Sequence, residues 1–111
     1  MTDLIEWADF TKVDMRIGKI IDVTDFPEAR NPAYILSIDF GKLGMRKTSA
    51  QVTNYTHDEL LGREIVAVVN FPAKQIGPIM SEVLVLGGME KDGTVRLLKP
   101  DPNCVLGSRV G

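Results

Sequence analysis

Residues 13–23, VDMRIGKIIDV, constrain the fold more than any other stretch. Val13, Met15, Ile17, Ile21 and Val23 follow the two-residue period of a strand with one buried face, and the run is long for a strand. Gly18 interrupts it near the middle. A glycine inside a long strand permits sharp coiling, so the two halves can serve two sheets of one small barrel. Asp14 and Arg16 fall on the outward face, where they are placed to pair.

The other apolar runs are also short and strand-like. Ile65–Phe71 and Val83–Leu86 are too brief and too β-branched for helices, and they read as two paired, largely buried strands. Pro72, Gly77 and Pro78 break regular pairing between them. The intervening loop sets Lys74, Gln75 and Ser81 beside Ile76 and Ile79. A polar loop on a rigid sheet is where binding residues concentrate; a solvated connection with an idle lysine is the alternative. Tyr34–Phe40 puts Tyr34, Leu36, Ile38 and Phe40 on one face, and Thr94–Leu98 makes a last strand. The strand at 45–52 is unusually polar, with Arg46, Lys47, Thr48, Ser49 and Gln51, so one of its faces meets water or a ligand. Thr56 and Glu59 have capping-box spacing ahead of Leu60, Leu61 and the stop residue Gly62, which predicts a short helix.

The chain of 111 residues suits a single domain, 1–111, with one core. No apolar run is long enough to span a bilayer, and the acidic start MTDLIEWADF lacks the basic and apolar regions of a signal peptide, so the expected location is the cytoplasm and no membrane partner is expected. The single Cys104 has no internal disulfide partner, in keeping with a reducing compartment. Net charge is −2, which excludes a uniformly basic nucleic-acid binder, but the charge is uneven. The first 28 residues carry seven acids against three bases, and residues 42–74 carry five bases against three acids. A local basic face or scattered solvated charge would both fit that distribution.

Three strands, a short helix, and two or three further strands, led by a long bent strand, is the order of an OB-fold. The expected class is therefore all-β with a short helix, a five- to six-stranded partly open Greek-key barrel with a short N-terminal helical turn over residues 1–11. In that fold ligands lie across strands two and three, between the loop after strand one and the loop after strand four. Those parts here are Arg30 with Asn31 from the Pro27–Pro32 loop, the polar strand from Arg46 to Gln51, and the Lys74 loop.

Several motifs resemble a known family. Asp14-Met15-Arg16-Ile17-Gly18 resembles the D-x-R-x-G opening of the free-standing tRNA-binding domain, and NFPAKQIGPIMSEVLVLGG resembles its segment with spaced Asn, Lys, Gly and Ser. PEARNPAYILSIDFG, the SAQ at Ser49 to Gln51, and SEVLVLGG are more similar still to the CsaA-type export chaperone branch of that family. The resemblance covers nearly the whole chain. It implies an OB-fold homodimer that binds tRNA or other structured RNA and assists unfolded preprotein segments. The RNA-contacting positions it implies are Asn70, Lys74, Gly77 and Ser81, with Lys47 and Ser49 on the neighbouring strand. Lysine neutralises a phosphate, Ser and Asn orient on phosphate or sugar, and glycine lets the backbone approach closely.

A cleft for unfolded peptide would draw on Phe26, Phe71, Ile76, Ile79 and Met80, although barrel core or dimer interface also accounts for such residues. The dimer contact is expected from the LIEWADF turn, with Leu4, Trp7 and Phe10, and from Val105 and Leu106 in the tail. The alternative function is a tRNA-binding module without chaperone activity, or a structural partner of translation enzymes. An enzyme is not expected: no phosphate-cradling glycine loop, metal-ligand cluster or activated nucleophile is legible, His57 stands alone, and neither cofactor nor metal is implied.

Overall fold

The computed structural model describes residues 3–111. A short helix α1 (Trp7–Thr11) leads into β1 (Met15–Asp25), β2 (Tyr34–Asp39), a 3-10 turn (Gly41–Leu43) and β3 (Met45–Ala50). Helix α2 (His57–Leu60) precedes β4 (Glu64–Val68), β5 (Lys74–Ile76), β6 (Ile79–Ser81), β7 (Leu84–Val85), β8 (Gly87–Met89) and β9 (Val95–Leu97). Five strands form one antiparallel sheet in the order β3-β2-β1-β4-β7. The two apolar runs that read as partners are partners, with Ala67 opposite Val85 and Val68 opposite Leu84.

β1 serves both halves of the barrel. Its first half, Met15–Lys19, pairs with β4, and from Lys19 onward it pairs with β2. The register shifts between Ile20 and Asp22, so the bend resides in a bulge around Ile21, not at Gly18. The bulge also changes which residues face inward: Ile20 and Val23 enter the core, whereas Ile21, expected on the buried face, is exposed. Gly18 has a different purpose. A Cβ there would stand 2.6 Å from Ile38 Cγ2 and 2.7 Å from Phe40 Cε1, so its bare backbone admits the two core side chains of β2.

Leu36, Ile38 and Phe40 fill the barrel together with Ile20, Leu60 and Ile65, all fully buried. Leu60 reaches them from α2. That helix starts as its sequence dictates: Thr56 Oγ1 accepts the Glu59 N–H at 3.2 Å, and the Glu59 carboxylate accepts the Thr56 N–H at 2.8 Å.

The segment after β6 closes the barrel against the free edge of β3. Glu82 N–H donates to the Lys47 carbonyl at 2.8 Å, and Lys47 N–H donates to the Glu82 carboxylate at 2.9 Å. Two residues along β3, the Ser49 N–H donates to Ser81 Oγ at 3.0 Å. Thr48, buried to 1 % exposure, donates its hydroxyl to the Val83 carbonyl at 2.6 Å. The Ser81 hydroxyl then completes the set by donating to Thr48 Oγ1 at 2.9 Å. Thus the most polar strand of the chain owes its one buried hydroxyl to closure.

The C-terminal tail returns beside β1. Ile17 N–H donates to the Ser108 carbonyl and Gly107 N–H to the Ile17 carbonyl, at 3.0 and 2.8 Å. Arg16 secures the same crossing, with Nε on Asp14 Oδ1 at 2.6 Å and Nη1 on the Gly107 carbonyl at 3.1 Å. The Asp14–Arg16 pair, expected on the outward face of the strand, is therefore a half-buried latch for the tail.

Candidate nucleic-acid interface

Residues 74–81, expected to be an unpaired loop, form the β-hairpin β5–β6, with Lys74 opposite Ser81, Gln75 opposite Met80 and Ile76 opposite Ile79. The hairpin turns on Gly77 and Pro78. Gly77 has φ +54°, and proline fixes a negative φ at the next position, the combination that a two-residue turn with glycine first requires. Gln75 Nε2 braces the turn by donating to the Gly77 carbonyl at 2.6 Å.

Two clefts meet at this hairpin. The first, about 310 Å³, lies between the β1–β2 loop and β5, and is lined by Ala29, Arg30, Asn31, Ala33, Ser49, Gln51, Lys74, Gln75 and Ile76. The second, about 340 Å³, is lined by Ser49, Phe71, Pro72, Lys74, Ile76, Ser81, Glu82, Val83 and Leu84. Ser49, Lys74 and Ile76 belong to both. One cleft offers cations, amides and a hydroxyl, and the other is mainly apolar, so β5 is a shared wall between two chemistries.

Of the residues singled out for RNA, Arg30, Ser49 and Lys74 come together in the polar cleft. Lys47 is exposed and stands on the same outward face of β3 as Ser49, two positions away. Gly77 lies at the hairpin tip, where a Cβ would rest 3.4 Å from Phe26 Cζ, so it seats the hairpin on the barrel. Ser81 faces the apolar cleft with its hydroxyl engaged in barrel closure. Asn70 stands apart from both clefts: its Oδ1 accepts the Asp14 N–H at 2.9 Å and its Nδ2 donates to the Lys12 carbonyl at 2.7 Å, fastening the chain after β4 to the start of β1.

The peptide candidates divide similarly. Phe71, 54 % exposed, and Ile76 line the apolar cleft. Phe26, only 3 % exposed, is support beneath the hairpin and offers no surface to a ligand. Ile79 is half-buried and Met80 exposed, and neither lines the cleft; Met80 shares the other hairpin face with Gln75. Leu84, Pro72 and Val83 are lining residues that sequence reasoning did not single out. For Leu84 the signal was present, because the four successive apolar residues 83–86 in an extended segment must send some side chains outward, and Leu84 is exposed. Gln51 and Ala29 complete the polar cleft. Among the described residues no group of three or more His, Cys, Asp or Glu could hold a metal ion, and no helix is long and apolar enough to cross a membrane.

A family model described as "Putative tRNA binding domain" matches residues 15–109. The chain belongs to this tRNA-binding domain family. It is similar over 97 % of its length to the CsaA chaperone protein of Picrophilus torridus, with 50 % identity, a TM-score of 0.91 and all of that chain covered. Against chaperone CsaA of Bacillus anthracis the identity is 45 % and the TM-score 0.92, with 98 % of this chain and all of the other covered. These similarities put the chain in the CsaA-type branch and its fold among OB-fold barrels. It is also 39 % identical over 108 residues to methionine–tRNA ligase of Nanoarchaeum equitans, covering 96 % of this chain and 14 % of that enzyme. The chain thus corresponds to a small part, about one-seventh, of the length of that ligase.

Proposed function

We propose that this CsaA-type domain binds structured RNA, with tRNA as its ligand, through the cleft between the β1–β2 loop and β5. The observation that carries this reading is the convergence of Arg30, Ser49 and Lys74, from three separate elements, on one polar cleft. Two cations accompany a hydroxyl and three amide side chains, Asn31, Gln51 and Gln75. That set suits phosphate neutralisation at the rim and hydrogen bonding to sugar or an exposed base edge within. Few aromatic rings stand at the cleft, which favours recognition of shape and backbone over stacking. The chemistry is that of binding, and no enzymatic role is proposed.

A second reading, a chaperone for unfolded preprotein segments, draws support from the apolar cleft on the other side of Lys74 and Ile76. Phe71, Ile76 and Leu84 offer a surface for an extended apolar segment. Because the wall is shared, the two ligands would compete.

The functional unit proposed is a homodimer in the cytoplasm. Leu4, Ile5 and Trp7, at and just before α1, have no covering surface in the protomer, and Trp7 is 73 % exposed. Arg109 Nη2 ties α1 to the tail through the Thr11 carbonyl at 2.9 Å, and Val105 of the tail is exposed too. Phe10 and Leu106 are half-buried behind this surface. An apolar surface of this kind is what a second copy would cover.

A competition titration tests the proposal: a labelled unfolded preprotein segment is bound to the protein, and tRNA is added across a salt series. Displacement that fades as salt rises is the expected result. Failure of tRNA to bind at low salt would overturn the RNA reading, and peptide binding undisturbed by bound tRNA would overturn the shared wall.

A further inference from the structure

At the other end of β2 from the Arg30 loop, a third crevice opens between Gly62–Glu64 and the segment 99–103. Lys19, Gly62, Arg63, Glu64, Lys99, Pro100, Asp101, Pro102 and Asn103 line its volume of about 460 Å³. Lys19 pairs with Asp39 at one end of β2, whereas the Arg30 loop joins β2 at Tyr34. Six strand residues therefore separate the two places, roughly 17 Å along the strand.

Three cations and two carboxylates give this crevice a formal charge of +1 in a chain whose net charge is −2. None of the five takes part in an ion pair among the described residues. Arg63 is the central member. Its backbone is fixed on both sides, with its N–H on the Leu60 carbonyl at 3.0 Å and its carbonyl accepting the Ile20 N–H at 2.9 Å. Its guanidinium lies 5.0 Å over the Tyr55 ring, and that ring is held in turn by the Leu97 N–H on its hydroxyl at 3.0 Å. Yet Nε is buried without a hydrogen-bond partner among the described residues. A half-buried guanidinium with fixed support and an uncommitted donor is unusual, because buried donors are normally paired.

We infer that this crevice is a phosphodiester-binding site separate from the Lys74 cleft. Lys19, Arg63 and Lys99 line the crevice from three different parts of the chain, and three cationic side chains rich in donors suit the several oxygens of a phosphodiester. Glu64 and Asp101 hold the charge at +1, which a singly charged diester neutralises and a dianionic monoester exceeds. Asn103 adds a neutral amide at the lining. The site does not depend on the RNA reading of the other cleft. A nucleic-acid backbone and a free small phosphodiester both carry the required group.

The experiment is an NMR titration of the full chain, labelled with 15N, using dimethyl phosphate as the probe. Saturable shifts are expected at the backbone amides of Gly62, residue 63 and Glu64, which line the crevice. Arg63→Gln should abolish them, and Lys99→Gln should weaken binding about tenfold, the effect of losing one charge-assisted hydrogen bond. Arg63 packs on Tyr55, so a melting curve accompanies each variant, and the exposed Lys99→Gln carries the test if Arg63→Gln fails to fold. Shifts that rise linearly, or that saturate in the variants at the same concentration as in the parent, would overturn the site. The tRNA salt slope of Lys99→Gln then identifies the source of the diester. A slope shallower by just under one unit assigns it to the RNA backbone, and an unchanged slope beside a saturable dimethyl phosphate shift assigns it to a free phosphodiester. Because the Arg63 signal is read without RNA, failure of the Lys74 cleft to bind tRNA leaves this result distinct.

Discussion

Glu82 and Lys47 exchange two hydrogen bonds, backbone to backbone in one direction and backbone to carboxylate in the other, at 2.8 and 2.9 Å. The acid that follows Ser81 thereby acts as a strand mimic, supplying the acceptor that the edge of β3 would otherwise lack. Its role in closure follows from geometry, and its charge is incidental to it. Glu82→Gln keeps a carbonyl acceptor and should melt within about 0.5 kcal/mol of the parent, whereas Glu82→Ala should lose about 1–2 kcal/mol. Urea unfolding of both variants measures the difference, and equal losses would show that the charge itself holds the edge.

Gly18→Ala tests the crossing of β1 over β2. The added methyl would overlap Ile38 Cγ2 and the Phe40 ring, both in the fully buried core, so the neighbours must shift. Overpacking of this kind costs about 1–3 kcal/mol. A melting temperature unchanged from the parent would show that the barrel relaxes around the methyl, and the close approach would not explain the glycine.

Much of this architecture was legible in the sequence. Tyr34, Leu36, Ile38 and Phe40 alternate without interruption, so β2 was readable from its period alone, and the capping box at Thr56 marked α2. The bulge in β1 was not readable, because one extra residue reverses the facing of everything after it, and Ile21 is as apolar as Ile20. The β5–β6 hairpin was hidden by its brevity, three residues a side, although Gly77 in the first turn position was a cue. For the site, residue type identified the donors but not their occupancy. Asn70 and Ser81 carry the right groups for RNA, yet each is engaged by backbone that lies 56 or 32 positions away in the chain. Such a commitment is invisible until the fold is known. Arg30 and Lys74, long and flexible with no fixed partner on their own elements, kept the exposure that sequence reasoning assigned to them.

Lys74 is exposed on the wall common to both clefts, so its removal should affect RNA more than peptide. Lys74→Ala is expected to weaken binding to different tRNA species by a similar factor. It should also reduce the salt slope by about 0.7–0.9 units, because one phosphate fewer is neutralised. Peptide affinity should change little, since the apolar lining remains. Filter binding across a salt series separates these effects, and an unaltered slope would show that Lys74 does not neutralise a phosphate.

Trp7 offers the most direct check on the dimer. Its ring is stacked near Phe10, with centroids 5.4 Å apart, and is otherwise exposed, while α1 has no buried residue of its own. Helix α1, only five residues long, is too short to persist without packing, so the exposed apolar side requires a covering surface. If a second copy supplies it, Trp7→Ala should raise the dimer dissociation constant at least tenfold, since burying an aromatic of this size is worth upwards of about 1.5 kcal/mol. The barrel core does not involve Trp7, so the protomer's own fold should survive. Sedimentation velocity over a dilution series reads the dissociation directly. A variant as dimeric as its parent at every concentration would assign the interface elsewhere and leave the α1 surface to a different partner.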